Sequence, residues 1–163
     1  MSNEGYFPTS LSFECLGNMI YEIEKLRKRQ IEELYASLGG KFSFLERLKR
    51  GGIGSPLLYY KRGWEQIDLL NNNSTDTIRV NIEELKGGYF FRFTDRTRTY
   101  FAPVLKNEIL SVSFLPEDES AHLIFHFNNK PSLTTWVHKS RWEEISLYLK
   151  NGSIGQKLEG HTG

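Results

Sequence analysis

Three arginines stand close together in the middle of this 163-residue chain, Arg92, Arg96 and Arg98, with Lys106 shortly after them. A guanidinium binds phosphate or carboxylate in a two-pronged fork, so such a group of cations is a candidate anion site. Arg96 and Arg98 are two apart. On a strand, that spacing leans both side chains to one face. An ordinary solvated sheet face, with charges paired across strands, would carry the same residues.

The other reactive residue types are sparser. His122 and His126 share one side of a strand, but four residues at ~3.3 Å each set them about 13 Å apart. They cannot hold one zinc ion, which in any case needs further ligands. Cys15 comes with no sequence signature of a base beside it and reads as a small buried apolar residue. Glu117, Asp118 and Glu119 form a solvated acidic loop. The Gly51–Gly54 stretch lacks the Lys-Ser/Thr of a phosphate loop, and Pro56 with a strand follows it where a helix is needed. Arg47, Lys49 and Arg50 add local basic charge. Phe42 and Phe44 beside them read as core rather than as stacking platforms for bases. No catalytic or metal signature emerges. The expectation is a protein that is not an enzyme, with no cofactor and no metal.

Composition bounds the rest. Hydrophobic residues make up 39% and charged residues 25%, as in a globular domain. Aromatics reach 13%, which favours a β-containing core. A net charge of +1 gives no global field to draw nucleic acid, so none is expected as a partner. One cysteine permits no internal disulfide, and the first residues carry no signal-peptide pattern. A cytoplasmic location is the expectation.

The elements that must position these residues follow from periodicity. From Ser10 or Ser12 to Leu38, apolar residues at Leu16, Ile20, Ile23, Ile31, Leu34 and Leu38 mark one helical stripe. Glu24/Lys28, Lys28/Glu32 and Arg29/Glu33 are opposite charges four apart on the other faces. Gly39-Gly40 stops the helix. A second helix covers Ser43 to Arg50 and buries Phe44, Leu45 and Leu48. After Pro56 the period becomes that of strands: Leu57–Tyr60, Gln66–Leu70, Thr77–Ile82, Tyr89–Thr94, Thr97–Ala102 with Pro103 ending it, Glu108–Leu115, Ala121–Phe127 and Leu133–Val137. Lys139–Lys150 is a closing helix with Trp142, Ile145 and Leu149 on one side. One local echo, Lys61-Arg62-Gly63-Trp64-Glu65-Gln66-Ile67 against Lys139-Ser140-Arg141-Trp142-Glu143-Glu144-Ile145, is either chance or a sign that residues 61–70 are helix rather than strand. The expected division is a helical arm over 1–56, a β unit with its helix over 57–150, and a flexible tail over 151–163.

The ending carries a resemblance. Leu133-Thr134-Thr135-Trp136-Val137 leads through a polar turn into Trp142-Glu143-Glu144-Ile145-Ser146-Leu147-Tyr148-Leu149. About seven short antiparallel strands in meander order, followed by such a helix, resemble the pleckstrin-homology-like (PH/GRAM-type) barrel over residues 57–150. The resemblance implies an α+β fold: N-terminal helices, then a mostly antiparallel seven-strand barrel closed by the C-terminal helix. It gives Trp142 the role of plugging the open end and makes Trp136 structural. It implies a non-enzymatic binding module, with a protein partner as the leading expectation. Anionic lipid headgroups, held by Arg92, Arg96, Arg98 and Lys106, are the alternative. Members of that family that bind headgroups carry basic residues on the first hairpin, whereas Asn71–Asp76 here has none. The N-terminal helix, apolar along one stripe, is the candidate surface for self-association.

Overall fold

The computed structural model describes residues 19–50 and 54–154. Cys15, Leu16 and Gly51–Ile53 lie outside them. The described elements, in order, are β1 (Tyr21–Glu22), α1 (Lys28–Ser37), α2 (Phe44–Lys49), β2 (Leu58–Arg62), α3 (Glu65–Asn73), β3 (Arg79–Glu84), β4 (Gly88–Asp95), β5 (Arg98–Leu105), β6 (Ile109–Pro116), β7 (Ser120–Phe127), β8 (Leu133–His138) and α4 (Trp142–Asn151). Short 3₁₀ turns precede α1, β6 and α4. No helix among the described residues is long and apolar enough to cross a membrane.

The strands form one antiparallel sheet in the order β1-β5-β4-β3-β2-β8-β7-β6. It has eight strands rather than seven, and its edge strands β1 and β6 do not pair, so no closed barrel forms. The sheet nevertheless bends over itself. Phe91 on β4 and Phe125 on β7 meet edge to face with ring centroids 5.3 Å apart. Those strands are four places apart in the sheet, roughly 19 Å if it were flat at ~4.8 Å per strand. One core therefore collects inward residues from β2 to β8, together with Trp64 and Ile67 of the α3 segment and Ile145 and Leu149 of α4. Bulge-like register shifts, which bend a strand locally, interrupt β2 between Tyr60 and Arg62 and β6 between Ile109 and Ser111.

A second, smaller cluster lies on the opposite face of β4 and β5. Leu34 and Leu38 of the α1 segment pack there with Tyr21, Leu85, Phe90 and Phe101. The Tyr35 ring meets Phe90 edge to face at 4.7 Å. In β4, Phe91 and Phe93 thus enter the main core while Phe90 enters the second, and all three are fully buried. The end of α1 is bonded to the β3–β4 turn, where Gly87 N–H donates to the Leu38 carbonyl at 2.7 Å. Gly39 there has φ +81°, and a Cβ on it would lie 2.9 Å from Gly87 N, so a side chain does not fit.

Several expectations change. The helix expected from Ser10 to Leu38 does not run unbroken: Tyr21 and Glu22 are extended and pair with Phe101 and Tyr100 of β5. That pairing is non-local, and helical spacing cannot reveal it. Residues 66–70 are helix, not strand. The Tyr60 hydroxyl accepts from Trp64 N–H at 2.9 Å and donates to Asp68 Oδ1 at 2.7 Å, which ties the first turn of α3 to β2. Pro103 does not end β5, which runs on to Leu105. Lys106 N–H bonds inward to Gly87, so by alternation position 103 faces the outer edge. β1 covers only Tyr100 and Phe101 there, and a proline costs no ladder bond. Past α4, Ile154 is fully buried in the main core, so the expected tail begins with a packed residue.

Candidate functional site

The four cations of the expected anion site do not come together. Arg96 and Arg98 flank the tip of the β4–β5 hairpin, yet they diverge. Arg96 pairs with Asp76, in the loop before β3. Arg98 lies 3.9 Å from Glu22 on β1. β3 and β1 border the hairpin on opposite sides, so the two guanidiniums are drawn apart. Lys106 sits at the other end of the hairpin, beside the Gly88–Leu105 pair, roughly 23 Å away at ~3.3 Å per residue. Its ammonium is 3.6 Å from Glu84. Arg92 lies between, 3.3 Å from Glu83 and over the Phe101 ring. Each of the four faces a carboxylate.

Glu84 itself is a structural hub. It is 4% exposed. It accepts from Arg50 at 3.0 Å and from the Ser153 hydroxyl at 2.7 Å, and Tyr89 bonds to the same Ser153 hydroxyl. The guanidinium of Arg50 also lies over the Phe42 ring at 4.1 Å. A buried carboxylate demands such partners, and here they fasten the chain after α2 and the chain after α4 to β3.

The histidines are separate. His122 meets Lys61 at 3.0 Å and Glu117 at 3.3 Å, whereas His126 meets Ser113 and Ser132. Among the described residues no group of three or more His, Cys, Asp or Glu is placed to hold a metal ion. Trp142 is half-buried against Phe114, and its buried indole N–H has no partner among the described residues. Trp136 is not a core residue. It stacks on Tyr59 at 4.6 Å on the outer face of the sheet. The tryptophan at the centre is Trp64, 7% exposed, within 6 Å of Phe91, Phe93 and Phe127. The echo of the Trp142 segment contained it, but nothing in its spacing marked it as central.

The clearest departure lies on α2. The helix expected over Ser43 to Arg50 forms over Phe44–Lys49, with Ser43 as its cap and Glu46 completing a capping box. The apolar residues, expected to be buried, are not: Phe44 is 67%, Leu45 68% and Leu48 62% exposed. The helix buries none of its own side chains. It is held from its ends, by buried Phe42 before it and by Arg50 after it, with Lys86 3.9 Å from Glu46 between. Apolar spacing marks a face that could be buried, and nothing among the described residues covers it. The exposed Arg47 and Lys49 have no carboxylate partner among the described residues. A six-residue helix is marginal by itself. This one, capped and tied at its ends, presents three large apolar groups and two cations without a carboxylate partner among the described residues, a combination suited to docking.

Compared with protein-family models, curated proteins and solved structures, the chain matches none.

Proposed function

We propose that the chain is a non-enzymatic binding module of the pleckstrin-homology-like kind that engages a protein partner through α2. The observation that carries this reading is the exposure of Phe44, Leu45 and Leu48 on a capped, anchored helix. Covering each such side chain is worth roughly 1.5–3 kcal/mol, enough for the three to act as anchors. Arg47 and Lys49 favour an acidic amphipathic segment as the complement. The run β2–β8, in which the first strand bonds to the last and a helix follows, supports the barrel-type reading. The buried carboxylates have structural partners: Glu84 is engaged by Arg50, Lys106 and the Ser153 hydroxyl, and Glu108 by Leu105 N–H and the Asn129 amide.

A photo-crosslinking residue in place of Leu48 tests the reading in cells. The expected product is a discrete protein adduct, joined at an apolar, acidic peptide and lost when Phe44→Ser is added. The second reading is an anionic membrane surface, favoured by the same Arg47 and Lys49 beside the apolar trio. A lipid adduct, with salt-sensitive sedimentation on anionic vesicles, would establish that reading instead. Absence of both adducts would overturn the role of α2.

A further inference from the structure

A second site lies away from α2, where the chain enters α3. A cavity of about 230 Å³ opens between α3, β5 and the β7–β8 turn. Its walls are apolar: Trp64, Met19, Ile20 and Ala102. Such a volume is below the range of drug-sized ligands and suits a small molecule with a short apolar body.

Two kinds of donor reach into it. The first is Lys130, whose side chain is only 8% exposed. Its ammonium lies 5.8 Å from the Trp64 ring and 5.9 Å from the Phe127 ring. Its nearest carboxylate, Glu108, is 3.9 Å away, beyond hydrogen-bond distance. Glu108 is meanwhile satisfied by others, accepting from Leu105 N–H at 2.6 Å and from the Asn129 amide at 3.1 Å. The Lys130 stem is covered while its ammonium keeps access to the cavity, where an acceptor can meet its donors. Burial pushes its pKa below the ordinary lysine value, while Glu108 opposes the shift.

The second donor group is the start of α3. No side chain caps this nine-residue helix. Its first two residues, Glu65 and Gln66, line the cavity. Ile67 N–H in the first turn bonds back to the Trp64 carbonyl at 2.9 Å, but the N–H groups of Glu65 and Gln66 precede the helical ladder and lie at the positive end of its dipole. Among the described residues, the only anionic side chain lining the cavity is the exposed Glu65.

We infer that this cavity binds a small monocarboxylate with an apolar or aromatic body, its carboxylate between the Lys130 ammonium and the N-terminus of α3 and its body against Trp64. This assignment is independent of α2 and of any protein partner. An ammonium with no hydrogen-bond acceptor among the described residues, an uncapped helix start and an indole wall select for one negative charge on a short greasy chain.

The test uses 4-phenylbutyrate and its neutral isostere 4-phenyl-1-butanol on the full chain. Binding is read from the indole N–H resonance of Trp64, assigned by its loss in Trp64→Phe. The Trp64 N–H donates to the Pro131 carbonyl at 3.0 Å, so the signal reports on the cavity wall. The expected result is a saturable shift with the acid, at least tenfold tighter than with the alcohol. Lys130→Met removes that preference while the spectrum stays folded. Lys130→Gln keeps a donor without the charge, and the acid-to-alcohol ratio falls there too. Equal binding of acid and alcohol, a preference that survives both substitutions, or no shift at Trp64 would each overturn the assignment.

Discussion

Ser43 and Glu46 hold each other across the first turn of α2. Ser43 N–H donates to the Glu46 carboxylate at 2.7 Å, and Glu46 N–H donates back to the Ser43 hydroxyl at 3.3 Å. These bonds, the Ser43 N–H first, hold the Glu46 carboxyl below its usual range. A lowered carboxylate pKa stabilises the helix above the ordinary glutamate value, and that contribution is lost as pH falls through the lowered value. α2 should therefore fray in acid, below about pH 4.5. Exchange of the Ser43 amide proton reads the event. Glu46→Gln, which does not titrate, should show no such step. A Ser43 amide unchanged until the whole domain unfolds would refute it.

Because α2 buries none of its side chains, Phe44→Ser and Leu48→Ser should alter folding stability by no more than about 0.5 kcal/mol. Phe90→Ala, in the cluster beneath α1, should cost about 3–5 kcal/mol. Urea denaturation of the three variants gives the comparison. A large loss at Phe44 would mean that its side chain is packed in solution and would remove the surface proposed for docking.

Gly63 stands at the entry to α3 with φ +133°, and a Cβ there would lie 2.0 Å from the Ser132 carbonyl oxygen. Backbone strain and a clash with backbone combine at this position. Gly63→Ala should cost about 3 kcal/mol or more. It should also weaken the Trp64 N–H bond to Pro131, because Gly63 and Ser132 set the same approach. A variant with unchanged melting would show that the turn relaxes freely.

In alkali, four tyrosines should ionise late, Tyr35, Tyr60, Tyr89 and Tyr148, each raised first by burial. Burial first, then the Glu83 charge, pushes Tyr35 up to about 12. Burial first, then the Glu84 charge, pushes Tyr89 up to about 12 against the opposing Ser153 bond. For Tyr35 and Tyr89 the raised pKa gives stability that is full below pH 10 and is lost as pH rises through about 12. Phenolate absorbance should show these residues titrating after exposed tyrosines. Glu83→Gln should bring the Tyr35 step down alone, and failure to do so would remove the assigned cause.

The legible part of the fold is the part governed by local alternation. β7 reads Leu123, Phe125 and Phe127 inward with His122 and His126 outward, and its burial follows that order. Ser43 announces α2, and Trp142, Ile145 and Leu149 announce α4. What escapes is set by distant residues. Tyr21–Glu22 is a strand only because β5 offers an edge. Residues 66–70 satisfy either period, and the Tyr60–Asp68 bond decides for helix. The arginines looked clustered because their neutralising carboxylates, Glu22, Asp76 and Glu83, come from three other elements. The Lys130 cavity draws on four separate stretches of chain, so no spacing could have shown it.

The sheet order has a consequence for how the chain reaches this state. β3 to β5 pair in succession as hairpins, as do β6 to β8, and β2 pairs with β3 across the α3 connection, so all these ladders join consecutive strands. Only the β2–β8 seam joins the two stacks edge to edge, with Tyr59 opposite Trp136 across a long stretch of chain. Hairpins close in microseconds, whereas the seam must wait for the larger loop to close. The seam is then a late event, formed after the rate-limiting barrier. Trp136→Ala should speed unfolding and leave the refolding rate nearly unchanged, a φ-value near zero in a chevron experiment. A value near one would make the seam the nucleus and the hairpins its followers.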